Sequence, residues 1–230
     1  GDESGTIGGI VGYFDKPTPG GTASILSCQN HGDIKSYGIW EGTKKYGAND
    51  IAGILGKVLM ADGANDYLRI NIVDCVNGDV TMECESLAAG IMGWLGPWGS
   101  GSVSNPDKVE VYIDRCRNYA TKIDISPKNQ QSIIAGICGN RGSGSATTAS
   151  TTVTNCFALY DQNGTTAYSN GHSAYLAPIA TNRGSENIVA YGNYFMDAAF
   201  SFNNDYNKAM KTMYEEVQKR GAQGIWGNTN

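Results

Sequence analysis

Aromatic side chains set among Gly, Asn and Asp are the residues of this 230-residue sequence best suited to chemistry with a ligand. Tyr37, Trp40, Tyr67, Trp94 and Trp98 all fall in stretches expected to be loops. The densest is Gly93-Trp94-Leu95-Gly96-Pro97-Trp98-Gly99-Ser100-Gly101. Two tryptophans on such a loop offer flat apolar faces to a sugar ring, while nearby Asn and Asp satisfy its hydroxyls. The competing reading folds these rings back onto the flank of the protein.

Charged residues supply a second set of candidates. A polysaccharide lyase needs a base and a cation beside a uronate carboxylate, and Lys44, Lys45, Arg115 and Arg117 are available. A glycoside hydrolase needs two carboxylates about 5 to 9.5 Å apart, for which Glu110 and Asp114 are candidates. His31 and His172 lie in polar turns. No Ser-His-Asp motif, P-loop or zinc-protease helix is present, so no residue is assigned as catalytic and the reading leans away from an enzyme. Asp33 and Asp79 follow glycines at matching turns, where they stabilise the turn or offer oxygens to calcium. No other cofactor is implied, and zinc is disfavoured by the lack of a C-x2-C pair.

Composition narrows the setting. A net charge of −5 without a basic cluster argues against nucleic acid, and no apolar run reaches the ~20 residues of a transmembrane helix. Thirty-one glycines against six prolines predict many tight turns between short strands.

The elements that must position the candidates come from a repeat. Gly8-Gly9-Ile10-Val11-Gly12, Ala52-Gly53-Ile54-Leu55-Gly56, Ala89-Gly90-Ile91-Met92-Gly93 and Ala135-Gly136-Ile137-Cys138-Gly139 superpose, their second residues 44, 37 and 46 positions apart. Each run is followed by a segment of the form I-x-x-C-x-N: Ile25 to Asn30, Ile72 to Asn77, Ile113 to Asn118, and Val153 to Ala158 with Ala in the last place. The β-branched residue and the small Cys suit a strand interior, and the Asn suits a turn. A third strand follows near Ile34, Val80 and Ile123. Three short strands per period predict an all-β fold, a parallel β-helix or solenoid of four to five coils. A β-propeller, which has a similar period, is the alternative. Stacking then places Cys28, Cys75, Cys116 and Cys156 in a ladder of buried free thiols, with Cys138 also inward and Cys84 unassigned.

The pairing of G-G-I-V-G with I-x-x-C-x-N-x-G-D-I resembles the GLUG motif repeats of bacterial surface and secreted proteins, over roughly Ile7 to Tyr160. That resemblance implies adhesin-like regions, or the non-catalytic part of IgA-cleaving metallopeptidases. The expected organisation is a repeat region over residues 1–160 and a C-terminal region over 161–230. In the latter, strands are expected near Tyr175 and Val189, and a helix from Asp205 to Gly221 caps the last coil. Because the repeats begin at Gly8, a longer parent chain is also expected.

Three functions follow as expectations. The first is an extracellular or surface adhesin-like module that binds a polysaccharide or host glycan. The second is an enzyme cleaving polysaccharide along a groove that the loop aromatics would line if successive loops lie on one side of the solenoid, and the third is a non-binding stalk for further domains.

Overall fold

A computed structural model describes residues 3–14, 21–36, 39–41, 44–60, 67–97, 108–125, 133–139, 149–160, 165–167, 175–181 and 187–197. The first period contributes β1 (Glu3–Gly8), β2 (Val11–Phe14), β3 (Gly21–Leu26), β4 (Gln29–Asn30) and β5 (Ile34–Lys35). A short β6 (Ile39–Glu41) precedes the second period: β7 (Lys44–Ala52), β8 (Leu55–Met60), β9 (Tyr67–Val73), β10 (Val76–Asn77) and β11 (Thr81–Cys84). The third comprises β12 (Leu87–Ala89), β13 (Met92–Pro97), β14 (Lys108–Asp114), β15 (Arg117–Asn118) and β16 (Lys122–Ile125). The fourth comprises β17 (Ile133–Ala135), β18 (Ala149–Thr154), β19 (Phe157–Tyr160) and β20 (Thr165–Ala167). The fifth comprises β21 (Tyr175–Ala177), β22 (Asn187–Tyr191) and β23 (Tyr194–Asp197).

Each strand pairs with its counterpart one period away, so the strands sort into five open sheets. The sheets are β1-β7-β12-β17-β21, β2-β8-β13, β3-β9-β14-β18-β22, β4-β10-β15-β19-β23 and β5-β11-β16-β20. Single bridges at Cys138 and Ala180 carry the second sheet into the later periods. Strand pairing is parallel except where β6 meets β7. Parallel sheets are not the antiparallel blades of a propeller, so that alternative is set aside.

The expected three strands per period become five. Two more arise because the glycine-bracketed run itself divides into a first-sheet and a second-sheet strand, and because the I-x-x-C-x-N segment bends in its middle. The bend is a left-handed residue just before the Cys: Ser27, Asp74, Arg115 and Asn155 have φ of 52, 55, 52 and 52°, and Gly192 has 66°. Such a backbone costs a non-glycine residue about 1–2 kcal/mol. Bonds between adjacent periods hold it, from Ser27 N to Val73 O at 2.9 Å and from Asp74 N to Asp114 O at 3.1 Å.

The repeat does not fade after Tyr160. Strands β20 to β23 extend four of the same sheets, and the strands expected near Tyr175 and Val189 are β21 and β22. The fifth copy is disguised by substitution, with Pro178 in line with Gly136, and Asn193 following the left-handed Gly192 as each Cys follows its own left-handed residue. The helix expected over Asp205 to Gly221 lies outside the described residues.

The main core lies between the second and third sheets, where Leu55, Val58, Met92 and Leu95 meet Ile70, Ile72, Val111 and Ile113. A second core joins Ile51, Ala88 and Ile134 of the first sheet to Met82, Ile123 and Ile125 of the fifth. Burying such a side chain stabilises by about 1.5–3 kcal/mol. Asn does not simply mark a turn: Asn77 and Asn118 are fully buried. Asn30 Nδ2 donates to Asn77 Oδ1 at 2.8 Å, and Asn77 Nδ2 to Asn118 Oδ1 at 2.9 Å, forming an amide ladder. The turn role persists alongside it, since Asn118 Oδ1 also accepts from Ala120 N at 3.2 Å.

All six cysteines are free thiols; five are buried and Cys28 is half-buried. Cys84, unassigned by sequence, donates to Leu87 O at 3.2 Å. Hydrogen bonding to the Cys116 thiol, then burial, pushes Cys75 far above the ordinary thiol range, and Cys116 is raised chiefly by Cys156. These groups stay protonated and hence poor nucleophiles. Iodoacetamide on the native chain is expected to label Cys28 well before Cys75, Cys116 and Cys156. Mass spectrometry over time checks this, and equal rates would show that the ladder is open.

Candidate functional site

Strict alternation in Tyr67-Leu68-Arg69-Ile70-Asn71-Ile72 and in Val109-Glu110-Val111-Tyr112-Ile113 turns one side of β9 and β14 inward and the other outward. Leu68, Ile70, Ile72, Val109, Val111 and Ile113 are buried, whereas Tyr67, Arg69, Asn71, Glu110 and Tyr112 are only partly covered. Parallel register aligns Arg69 with Glu110 and Asn71 with Tyr112. Thr22 and Ser24 of β3, and Ser150 and Thr152 of β18, extend these rows on either side.

The outward side chains hold one another. Tyr67 Oη donates to Glu110 Oε2 at 2.7 Å, and Tyr112 Oη donates to the same oxygen at 3.2 Å. The Arg69 guanidinium carbon lies 4.2 Å from the centre of the Tyr112 ring, a cation–π distance. Asn71 Nδ2 reaches Ser24 Oγ at 3.4 Å. Tyr67 is held above the usual phenol range, first because its hydroxyl donates to the Glu110 carboxylate. It therefore stays a donor and does not serve as a base near neutrality.

At the end of the face, the left-handed bends carry a polar cluster. Arg115 grips Asp74 with Nε at 2.9 Å and its terminal nitrogen at 3.1 Å, and also bonds Asp114. That fork lowers the Asp74 carboxyl below its ordinary range. Asp114 Oδ1 accepts from Thr154 Oγ1 at 2.8 Å and Asn155 Nδ2 at 2.9 Å. Glu110 and Asp114 share the outer side of β14 but stand four residues apart, about 13 Å along an extended strand. That exceeds the spacing of either hydrolase geometry.

The aromatic candidates part company. Tyr67 lies on this face. Trp94 does not sit on a loop, because Gly93 to Pro97 belong to strand β13. It is only 8% exposed and packs with Ala52, Leu87, Ala89, Ile133 and Ala135. Register aligns it with Lys57, whose Nζ is 3.6 Å from the ring centre, so the folded-back reading describes it. Trp40 has its backbone in β6, and Tyr37 and Trp98 lie outside the described residues, as does His172. Asp33 caps a neighbouring strand, its Oδ1 accepting from Thr81 N at 2.8 Å. Among the described residues, no group of three or more metal-ligating side chains gathers around Asp33 or Asp79. Arg69 and Tyr112 were not singled out by residue type, although the alternation flanking Tyr67 and Glu110 carried the signal.

No family model, curated protein or solved structure matches the chain. What defines it is its architecture, an all-β chain of parallel sheets with a tyrosine- and arginine-bearing outer face on the third.

Proposed function

We propose that the chain is a glycan-binding, adhesin-like segment of a secreted or surface bacterial protein, built as a β-solenoid of the GLUG-repeat type. Five sheets visited in the same order in successive periods support the solenoid, since each period then makes one turn of a coil. The contact surface is the outer face of the third sheet. The observation that carries this reading is the convergence of two tyrosines on Glu110, with Arg69 against one of the rings. The rings offer apolar faces, the carboxylate and guanidinium offer acceptors and donors to sugar hydroxyls, and the sheet keeps them fixed in a row parallel to a linear polysaccharide.

A glycan array on the purified chain tests the proposal, with each mixture also analysed for shortened or unsaturated products. Binding without cleavage is expected, and Tyr112→Ala should weaken it by about tenfold, the loss typical of removing a central aromatic anchor. Tyr67→Phe, which keeps the ring and loses the bond to Glu110, should weaken it less. Unchanged binding in both variants would place the contact elsewhere, and a folded chain that binds nothing would support the stalk.

A further inference from the structure

On the outer side of the third sheet a cation stands without a counter-charge. Register sets Arg69 of β9 directly across from Glu110 of β14, yet the two form no ion pair. Both tyrosine hydroxyls of the face bond to Glu110 Oε2, at 2.7 and 3.2 Å, while the Arg69 guanidinium is drawn over the Tyr112 ring, 4.2 Å from its centre. Among the described residues that guanidinium finds no acceptor, and its Nε is covered from water without a partner. The ring attracts the charge through its face but leaves the in-plane N–H donors unsatisfied.

Arg115 shows what an arginine of this chain does with a carboxylate in reach, clamping Asp74 through Nε at 2.9 Å and a terminal nitrogen at 3.1 Å. Arg69 has its plane fixed by stacking and lacks the carboxylate. Its surroundings say on which side an anion fits. Glu110 repels an anion on the β14 side. The β3 side presents Thr22, paired with Arg69, and Ser24 two places on, both exposed and uncharged.

We infer that the glycan bound by this face is acidic, and that Arg69 takes the carboxylate of a uronic acid residue in a linear polysaccharide. This rests on the glycan-binding reading above and specifies its ligand class. The carboxylate receives two parallel N–H bonds from the guanidinium, over Thr22 and away from Glu110. A sugar hydroxyl at the same place makes a bond roughly half as strong, because it carries no charge. A net charge of −5 gives the chain no long-range attraction for a polyanion, so the selectivity is a contact effect made at Arg69.

The test titrates polygalacturonate, alginate and hyaluronan into the whole chain by calorimetry, each beside the same polymer with its carboxylates reduced to alcohols. At least one acidic polymer should bind at least about tenfold more tightly than its reduced form, the gain of a hydrogen bond to a charged group. Arg69→Gln should bring the two forms to equal affinity. Arg69→Lys, which keeps the charge without the fork, should retain part of the difference. If glycans bind but no acidic polymer is preferred to its reduced form, or if Arg69→Gln keeps the preference, this inference is overturned and the glycan-binding reading stands. If no polymer binds in either form and the glycan array is also silent, both are overturned.

Discussion

Gly90→Ala is expected to destabilise the chain by at least about 3 kcal/mol, at or beyond the upper end of ordinary overpacking, and to leave much of it unfolded on expression. A methyl there would lie 2.0 Å from the Gly136 carbonyl and 2.3 Å from Asn118 Cγ. The first of these is backbone in the next period, so no rotamer change relieves it. Adjacent strands are held about 4.8 Å apart by their ladder, and separating two periods for one methyl would break bonds in neighbouring sheets as well. Because the obstacle is the carbonyl, removing the Asn118 side chain in a double variant should not rescue the loss. Gly12→Ala is the internal control, with no atom nearer than 3.8 Å, and should change stability by less than about 0.5 kcal/mol. Urea denaturation of the parent and the three variants reads these differences. Near-equal midpoints for Gly90→Ala and the parent would mean that the periods are not stacked as closely as described.

Asn77→Leu is expected to cost about 1–3 kcal/mol by the same measurement, because it removes two ladder bonds at once. Asn30 Nδ2 is left with Gly32 O at 3.1 Å and Asn118 Oδ1 with Ala120 N at 3.2 Å, in a place where Asn77 itself is fully buried. Each lost bond costs about 0.5–1.5 kcal/mol, and the apolar gain of Leu offsets only part of this where Gly53 lies against the Asn77 side chain. Asn118→Ala should cost more, about 2–4 kcal/mol, because it takes an acceptor from the Asn77 amide and also from the N–H of Ala120, which is buried. The fourth period already ends the ladder with Ala158, buried beside Gly136. A smaller loss in Asn118→Ala than in Asn77→Leu would show that the bond to Ala120 carries no weight.

Those two predictions explain why the motif reads as it does. The central Gly and the Asn are thirty or fewer residues apart in sequence and touch across the interior: a Cβ on Gly53 would lie 2.3 Å from Asn77 Cγ, and one on Gly90 at the same distance from Asn118 Cγ. Where the Asn becomes Ala158, the glycine is kept at Gly136 because the Pro178 carbonyl still stands 1.9 Å from its Cβ position. Sequence comparison among the four copies exposes both residues but not their contact, since nothing in a single copy states which loop brings them together.

The same limit shaped the reading of the aromatics. Trp94 and Tyr67 look alike as rings near turns, but Trp94 falls where the first sheet offers Leu87, Ala89, Ile133 and Ala135 to cover it, and Tyr67 falls on the outer side of β9. Arg115 is another case. As a cation near a Cys it suited a lyase, whereas in the fold it occupies a left-handed bend and is tied to Asp74. The fifth period is faint in the sequence because its marker residues are replaced, Cys by Asn193 and Gly by Pro178. Asn193 fills the thiol position by bonding backbone, accepting from Cys156 N at 2.9 Å and donating to Val153 O at 2.8 Å.

By itself the sequence determined the period, the all-β class, the buried thiols and the phase of the inward residues. Each of these depends on neighbours a few positions apart or on the same environment recurring in every copy, and repetition makes such constraints visible. Only the tertiary structure decided that each of the first three periods makes five strands, that left-handed bends divide the Cys segment, that the asparagines form a buried ladder, and that Tyr67, Arg69, Glu110 and Tyr112 share a face. Those features depend on pairing between residues about forty positions apart and on which side of a strand a sheet or side chain covers, and that information resides in the stacking of periods, not in any one of them.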